Sequence, residues 1–143
     1  PCKIIFEPGR SIVGNTGILI TKILYIKKGY KKDFIILDAA MNDLMRPALY
    51  GVEHRIMPTK KRRIVSNKTY EFVGPICEST DKFASIKKFQ KLNEKEFLII
   101  CDVGAYGTSL SSNYNLRPKS IELLIKNSKI QIINKRQKLS ELM

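Results

Sequence analysis

Short apolar runs, separated by turn-forming residues, constrain the fold of this chain more than any other feature. Residues 18–26 and 69–74 alternate apolar, often β-branched side chains with polar ones, which is the pattern of half-buried strands. Residues 34–38 and 97–103 are more continuously apolar, and the second run, the most apolar in the chain, indicates a central strand. The pattern predicts a mainly β domain of about seven short strands, arranged as a sandwich or a barrel.

The two ends of the chain and one long connection carry further signals. Residues 4–6, Ile-Ile-Phe, predict a short buried strand that stops at a Glu-Pro-Gly-Arg turn. Residues 121–133 predict a hairpin around a central Asn-Ser pair. The polar, Lys-rich residues 85–93 predict a surface loop, and the closing residues 135–143 predict a short helix.

Length and composition fit one globular domain with a strongly basic surface. The chain has 143 residues, 43% of them hydrophobic, and a formal net charge of +13. No apolar run reaches the roughly 18 to 20 residues that span a membrane, so we predict no membrane partner. Most of the positive charge lies in scattered Lys pairs, and residues 60–63, Lys-Lys-Arg-Arg, are the one run of four. The charge therefore favours solvated surfaces and no nucleic-acid partner, with a nucleic-acid surface at this run as the alternative.

Three cysteines and a single histidine define the thiol and metal chemistry open to the chain. Cys2, Cys77 and Cys101 have no metal-ligand spacing, and one histidine cannot complete a usual zinc site, so we predict no bound metal. An odd number of cysteines favours a reducing, cytoplasmic setting. Cys2 and Cys101 lie in apolar segments and are predicted to be core thiols, whereas Cys77 follows a Gly-Pro turn.

Four irregular segments combine turn-forming residues with side chains that bind anions or move protons. They are residues 7–10, 45–50, 74–81 and 104–107. None of them follows the periodicity of its flanks. We interpret them as the walls of one active site and the rest of the chain as its scaffold.

Two arginines in these segments are candidates for binding an anion. Gly9 lets the backbone approach a ligand closely, and the Arg10 guanidinium beside it can bind a carboxylate or phosphate through two parallel hydrogen bonds. Arg46 lies in an otherwise apolar context, where a charge needs a partner, and Tyr50 offers a hydroxyl four residues on. The alternatives are a solvent-facing Arg10 and a structural ion pair at Arg46.

Cys77 and Tyr106 are the candidates for proton transfer and for ligand stacking. A thiol on a Pro-bounded loop can donate a proton or act as a nucleophile, depending on its neighbours. A nucleophile needs a base beside it, and His54 is the one histidine available, so a protease-like pair is the weaker interpretation. Tyr106 lies in a Gly-Ala-Tyr-Gly segment that suits stacking or a phosphate hydrogen bond, with packing on the sheet as the alternative.

The four segments, in this order and with the residues that flank them, resemble sequences of the diaminopimelate decarboxylases. These are fold type III, alanine-racemase-like enzymes that use pyridoxal phosphate. Arg-Pro-Ala-Leu-Tyr and Cys-Glu-Ser favour this family over the ornithine and arginine decarboxylases. Thr80 stands where glycine is commoner in the family. The likeness covers nearly the whole chain and is carried by residues 7–15, 38–51, 74–81, 102–107 and 112–118.

The resemblance implies a parent fold of two domains, a pyridoxal-phosphate (β/α)8 barrel followed by a β domain. Residues 1–16 are then the tail of the barrel, including its last strand, and residues 17–143 are the C-terminal β domain, a sandwich or barrel. No lysine here matches the Schiff-base lysine of the family, so we expect that lysine in a barrel outside this sequence and the chain alone to be inactive. The alternative is an inactive remnant that serves at most as an interaction module.

The activity that the resemblance implies is decarboxylation of meso-2,6-diaminopimelate to L-lysine and CO2, the last step of lysine biosynthesis. A related diamino acid is the alternative substrate. Pyridoxal 5'-phosphate acts as the electron sink while the protein supplies orientation and protons. By the same resemblance the cofactor contacts Glu7, Pro8, Gly9, Arg10 and Tyr106, and the last two also contact the substrate.

The remaining roles implied by the resemblance concern the distal end of the substrate and the proton. Arg46 and Tyr50 hold the distal end, where a planar guanidinium suits a carboxylate. Glu78 binds the distal ammonium group, and Cys77 is the acid that protonates Cα after CO2 leaves. In the family the loop that carries these last two residues enters the active site of the partner subunit, which implies a C2 homodimer acting in trans.

Overall fold

A computed structural model that covers residues 1–143 shows a mainly β chain built on one six-stranded sheet. The strands in chain order are β1 (Ile18–Lys27), β2 (Lys32–Leu37), β3 (Ile56–Pro58), β4 (Thr69–Val73), β5 (Lys82–Ile86), β6 (Phe97–Cys101), β7 (Glu122–Lys126) and β8 (Lys129–Asn134). Their order across the large sheet is β3-β6-β1-β2-β4-β5, and β7 and β8 form a separate two-stranded sheet. The prediction of a mainly β domain, including the hairpin near its end, is confirmed.

The helices are few and short. α1 (Arg10–Val13) continues into a 3-10 turn at Gly14–Thr16, and α2 (Arg46–Tyr50) follows β2. Two further 3-10 turns are Tyr114–Leu116 and Leu139–Glu141, so the helix predicted for residues 135–143 is reduced to a single turn. None of these helices combines the length and the apolar character that crossing a membrane requires.

The longest strand, β1, organises the sheet because its two halves have different partners. The first half pairs antiparallel with β6 and the second half with β2. A register shift between Ile23 and Tyr25 marks a β-bulge, which bends the strand and increases its twist, so the sheet curls toward a half-barrel. The apolar run predicted to be central forms β6, an internal strand between β1 and the edge strand β3.

The core is one cluster to which all six strands of the large sheet contribute. Each fully buried aliphatic or aromatic side chain contributes about 1.5–3 kcal/mol of transfer free energy, so the cluster dominates the stability of the fold. Phe72 and Phe89 meet edge to face with their ring centroids 5.3 Å apart, an arrangement that aromatic pairs favour. The members of the cluster are Ile23, Ile35, Leu37, Ala39, Leu44, Ile56, Tyr70, Phe72, Phe83, Ala84, Leu92, Leu98 and Ile100.

The start of the chain differs from its prediction. Residues 4–6 form no strand, and their side chains are 72% to 82% exposed. A strand is stabilised by hydrogen bonds to a neighbouring strand, and no strand of this chain pairs with residues 4–6. The core-thiol prediction is confirmed for Cys101, which is buried in β6, and is wrong for Cys2, which is exposed with the same segment.

The predicted loop at residues 85–93 is wrong in part. Its first two residues belong to β5, which pairs antiparallel with β4 and closes one edge of the sheet. Leu92 is buried in the core, and Phe89 packs against it. The pattern concealed the strand because only Phe83 and Ala84 of β5 are buried, and two apolar neighbours show no alternation.

Candidate functional site

The turn at the start of the domain packs tightly against the loop that follows β6. The Gly104 amide donates to the Gly14 carbonyl over 2.9 Å, and the Val103 amide donates to the Gly17 carbonyl over 3.1 Å. A Cβ atom on Gly17 would lie 2.5 Å from the Gly104 Cα, closer than atoms approach, so both positions require glycine. This backbone contact places α1 beside the residues at the end of β6.

An open cleft of about 590 Å³ lies where α1, the start of α2 and the end of β6 meet. Two arginines and one aspartate supply its charged groups, and neither arginine forms an ion pair with a carboxylate. Paired guanidinium groups without carboxylate partners provide a site for a carboxylate or phosphate group. The lining residues are Gly9, Arg10, Ser11, Gly14, Asn15, Arg46 and Asp102.

Arg46 is the buried member of this pair. It begins α2, which ends at Gly51 in the left-handed conformation (φ 64°), where the Gly51 amide donates to the Pro47 carbonyl over 3.0 Å. Only 9% of the Arg46 surface is exposed, yet its Nε atom has no hydrogen-bond partner. Burying a charged donor without a partner is costly, which makes this side chain a candidate for binding a group from outside the chain.

His54 lies behind Arg46 and is also buried. Its Nε2 atom is 3.5 Å from Arg46 Nη1, and its Nδ1 atom is 2.9 Å from the carbonyl oxygen of Cys101. Both ring nitrogens are therefore occupied. The weaker interpretation, in which His54 serves as the base for a nucleophilic Cys77, lacks a free imidazole nitrogen.

The loop that carries Cys77 and Glu78 is fixed by a buried carboxylate. Asp81 accepts the amide hydrogen of Ile76 on Oδ2 (2.8 Å) and that of Met41 on Oδ1 (2.7 Å), which ties the loop to the segment before α2. Burial raises the pKa of the Asp81 carboxyl above its ordinary value, while the two amides and the charge of Arg117 oppose that rise.

Gly74 belongs to the same anchor. A Cβ atom at position 74 would lie 2.5 Å from the Asp81 carboxyl carbon, so a glycine is required there for close approach. Cys77 and Glu78 are both exposed beyond this anchor. Glu78 accepts hydrogen bonds from the Tyr114 hydroxyl over 3.3 Å and from the Ser79 amide over 3.0 Å, so its carboxylate is held by groups of its own chain.

A second hollow, of about 260 Å³, lies between α2 and this loop. Pro47 and Ala48 of α2 line one side of it, and Ser79 and Thr80 of the loop line another. The helix that presents Arg46 to the cleft therefore presents its next two residues to the hollow. Cys77 and Glu78 line neither space.

Comparisons with known proteins agree with one another. A family profile described as "Pyridoxal-dependent decarboxylase, C-terminal sheet domain" matches residues 11–104. The chain is 46% identical over 137 residues to the diaminopimelate decarboxylase of Aquifex aeolicus (strain VF5), covering 94% of this chain and 32% of the relative. It is also similar to the crystal structure of diaminopimelate decarboxylase from Helicobacter pylori complexed with L-lysine, with a TM-score of 0.84, 45% identity, and coverage of 95% of this chain and 33% of that one.

The chain belongs to the pyridoxal-dependent decarboxylases, as their C-terminal sheet domain. A second relative, the diaminopimelate decarboxylase of Helicobacter pylori (strain ATCC 700392 / 26695), is 46% identical over 142 residues, which are 97% of this chain and 34% of the relative. The chain thus spans about a third of the length of the relatives that it matches. The family and the fold class predicted from the sequence are confirmed.

The cleft brings together three of the predicted site residues of this decarboxylase domain. Gly9, Arg10 and Arg46 line it, although 36 residues separate the two arginines in the sequence. Glu7 and Pro8 are exposed just before α1 and do not line the cleft. Their cofactor role stays a prediction.

The other predicted site residues lie around the cleft rather than in it. Tyr50 is 62% exposed at the end of α2, and Tyr106 is 51% exposed in a left-handed backbone conformation (φ 64°). Cys77 and Glu78 are on the separate loop described above. Within one chain, therefore, the four segments do not form the walls of a single space, and the roles of these four side chains stay predictions.

Sequence reasoning assigned no role to Asp102 or Tyr114 of the decarboxylase domain, and it considered His54 only as a base for Cys77. Asp102 lines the cleft, His54 contacts Arg46, and Tyr114 contacts Glu78. Asp102 could have been found as the polar residue directly after an apolar strand, and Tyr114 as part of a matched segment. No local signal connects His54 to Arg46, because their contact depends on the path of the chain between α2 and β3.

The basic run at residues 60–63 is partly used for structure. Arg62 forms an ion pair with Glu96, donates from Nη1 to its Oε2 over 2.6 Å, and donates from the same nitrogen to the Lys91 carbonyl. The Arg62 guanidinium lowers the pKa of the Glu96 carboxyl to about 2. One of the four cations of the run is thus committed to an intramolecular contact.

Proposed function

We propose that this chain is the C-terminal sheet domain of a diaminopimelate decarboxylase, which converts meso-2,6-diaminopimelate to L-lysine and CO2 with pyridoxal 5'-phosphate. Eight curated diaminopimelate decarboxylases that are 42% to 46% identical over at least 94% of the chain support this proposal. The observation that carries it is the buried, carboxylate-free Arg46, which opens with Arg10 onto one cleft. A lyase that acts on an amino acid with two carboxylate groups needs such a site.

The residues of the cleft fit the phosphate of the cofactor or a carboxylate group of the substrate. A guanidinium group can bind either a phosphate or a carboxylate through two parallel hydrogen bonds. Arg46 lines the cleft, and its Nε has no hydrogen-bond partner within the chain. When bound, pyridoxal phosphate supplies a ring that takes up the electron pair left by the departing carboxyl group. Glu7, Pro8, Gly9, Arg10 and Tyr106 are the residues that we propose to contact it.

The distal end of the substrate carries an ammonium and a carboxylate group, which call for opposite charges on the protein. In the proposal Arg46 and Tyr50 hold the distal carboxylate, since a guanidinium binds both of its oxygens at once. Arg10 and Tyr106 contact the substrate nearer the reacting carbon. Glu78 binds the distal ammonium, and the hydrogen bond from Tyr114 keeps that carboxylate in place.

The proton that replaces the carboxyl group comes from Cys77. Its Sγ is exposed, is not part of a disulfide, and lies on a loop anchored by Asp81, so the thiol can be presented to a ligand outside its own chain. Because Cys77 and Glu78 line neither the cleft nor the hollow beside it, the proposal places them in the site of a second subunit. The enzyme is then a C2 homodimer whose sites combine both chains.

The activity is tested with a chimera in which this chain replaces the corresponding third of the Helicobacter pylori enzyme. With added pyridoxal phosphate we expect the chimera to release CO2 from meso-diaminopimelate and to form L-lysine. Cys77→Ala should lower kcat about 10²- to 10⁴-fold, the range for loss of a proton donor, and leave KM nearly unchanged. A chimera that binds the cofactor and prefers ornithine, or turns over neither compound, would contradict the proposal.

The trans arrangement is tested by mixing two inactive chimeras. One carries Cys77→Ala, and the other lacks the Schiff-base lysine of its barrel. If Cys77 acts across the dimer, subunit exchange should restore about a quarter of the activity, since half of the dimers are mixed and each of these has one intact site. No recovery after exchange, verified by labelled subunits, would place Cys77 in its own subunit's site.

We also propose a cytoplasmic location for the enzyme. Cys2, Cys77 and Cys101 are all free thiols, as is usual in a reducing compartment.

A further inference from the structure

His54 occupies a buried position directly behind the arginine that we assign to the substrate. It is 6% exposed, and it lies between the end of α2 and the start of β3. β3 is an edge strand held to β6 by antiparallel pairing, and the Cys101 amide donates to the Arg55 carbonyl over 2.9 Å. The backbone that carries His54 is therefore fixed against the end of β6, and the imidazole can reach both the Cys101 carbonyl and Arg46.

The two partners of the ring determine which nitrogen carries the hydrogen. The Cys101 carbonyl oxygen, 2.9 Å from Nδ1, can only accept, so Nδ1 must be protonated. Arg46 Nη1, 3.5 Å from Nε2, can only donate, so Nε2 must present its lone pair. The two contacts are satisfied together only by a neutral imidazole with its hydrogen on Nδ1. Protonation of Nε2 would bring two positive groups face to face.

A neutral imidazole that accepts a hydrogen bond from Arg46 does not neutralise the guanidinium, whereas a carboxylate would. An aspartate or glutamate at this place would orient the guanidinium and also neutralise it, as Glu96 does for Arg62 on the surface. His54 orients Arg46 and leaves its full positive charge for a ligand in the cleft. Asp102 lines the same cleft, but no carboxylate forms an ion pair with Arg46, and the Arg46 Nε has no protein partner.

We propose that His54 is a positioning residue, held as the neutral Nδ1–H tautomer by the Cys101 carbonyl, that orients Arg46 toward an anionic group without neutralising it. The identification of that anionic group as the substrate carboxylate rests on the function proposed above. The tautomer of His54 and the orientation of Arg46 do not depend on it. Two experiments separate these parts.

The tautomer is measured directly by long-range ¹H–¹⁵N correlation at neutral pH. His54 is the single histidine of the chain, so its imidazole signals need no assignment. In the chimera, the signals that disappear in His54→Gln identify the same ring. We expect Nδ1 to carry the hydrogen and Nε2 to be bare. A hydrogen on Nε2, or on both nitrogens, would overturn the proposal whatever the enzyme does.

The positioning role is tested with two amide variants that each replace one of the two contacts. In His54→Gln the amide oxygen can stand near the position of Nε2 and accept from Arg46, whereas in His54→Asn the amide nitrogen can stand near Nδ1 and donate to Cys101. We expect His54→Gln in the chimera to keep KM for meso-diaminopimelate within about twofold. His54→Asn should raise it roughly three- to tenfold with kcat little changed, because a ground-state contact weakens. The reverse order, Asn intact and Gln impaired, would show a purely structural role.

The same variants remain informative if the parent chimera releases no CO2. The proposed function then fails, and inorganic phosphate is titrated into the 143-residue chain while the Arg46 Nε–H resonance is followed. Retention of phosphate binding in His54→Gln and its loss in His54→Asn would support the positioning role. Equal binding in both variants, or none in the unsubstituted chain, would overturn it.

Discussion

The Asp81 carboxylate shows how much of the candidate site depends on single buried polar groups. Each of its two oxygens accepts a different backbone amide, one from the Cys77 loop and one from the segment before α2. An anionic carboxylate can satisfy both amides at once. Its raised pKa indicates that burial of the charge has a cost, and the two hydrogen bonds offset part of that cost.

Asp81→Asn should therefore destabilise the domain although it preserves shape. The amide has one acceptor oxygen, so one of the two backbone amides faces an NH2 group and is left buried without an acceptor. We expect a loss of roughly 1–3 kcal/mol in the free energy of unfolding, measured with a chemical denaturant. Asp102→Asn is the control, because Asp102 is exposed and makes no side-chain hydrogen bond, and it should change stability by less than about 0.5 kcal/mol. Equal effects in the two variants would remove the anchoring role of Asp81.

The Arg62–Glu96 pair predicts a pH dependence of stability. The pKa of the Glu96 carboxyl in the folded protein, about 2, lies below its ordinary value of 4.5. Between these two pH values the folded protein therefore binds fewer protons than the unfolded chain. The stabilising contribution is complete above pH 4.5 and is lost as the pH falls toward 2. The difference in unfolding free energy between the parent and Glu96→Gln should shrink over this window. A difference that stays constant with pH would show that the pair contributes through packing rather than charge.

The contact between the N-terminal turn and the loop after β6 sets the position of Arg10. Gly17→Ala should disrupt it, because the new methyl group would lie 2.5 Å from the Gly104 backbone, and overpacking of this kind costs roughly 1–3 kcal/mol. Gly14→Ala in the same turn is the matched control, since its φ of −55° is helical and its Cβ would meet only the Arg10 side chain at 3.4 Å. Thermal unfolding of the two variants checks this prediction. It is wrong if they unfold at the same temperature.

Local patterns identified most of the elements and missed those that depend on distant contacts. Alternation and β-branching located β1, β4, β6 and the hairpin, because these strands have one clearly apolar face or a continuous apolar run. β5 was missed because only Phe83 and Ala84 face the core. Residues 4–6 have the composition of a strand, but composition cannot supply the neighbouring strand that hydrogen bonding requires.

The same limit applies to the site. Arg10 and Arg46 could be selected from the sequence, because Arg10 follows a Pro-Gly turn and Arg46 is a charged residue in an apolar segment. The fold brings both to one cleft. Their contacts could not be predicted. The hydrogen bond between Tyr114 and Glu78 spans 36 residues, and the one between His54 and Cys101 spans 47. Such pairs depend on topology rather than on local spacing.

Many large apolar side chains of this chain are exposed at its surface. Ile4 and Phe6 at one end, and Ile125 and Ile130 in the β7–β8 hairpin, are each at least 69% exposed. Large apolar patches on a soluble protein mark surfaces that bind another protein surface. In the proposed enzyme, the barrel and the second subunit provide such surfaces.

This exposure predicts self-association of the isolated chain. We expect its sedimentation coefficient to rise with concentration and the chain to bind a hydrophobic dye, whereas the chimera sediments as one discrete dimer. Ile125→Lys combined with Ile130→Lys should reduce association of the isolated chain, with Lys126→Ala and Lys129→Ala as the control that leaves the apolar residues in place. A monodisperse, dye-free isolated chain would contradict the prediction.

In the proposed enzyme, the cleft formed by Arg10 and Arg46 binds a carboxylate group of the substrate. The most direct test is the rate of CO2 release from meso-diaminopimelate by the chimera, measured with Arg46 intact and with Arg46→Met. Methionine fills a similar volume without a buried charge, so the thermal stability should be unchanged or higher. KM should rise about ten- to a hundredfold, because hydrogen bonds to a charged group contribute roughly 1.5–3 kcal/mol. An inactive parent chimera, or an Arg46→Met chimera with the parental KM, would contradict substrate binding by this cleft.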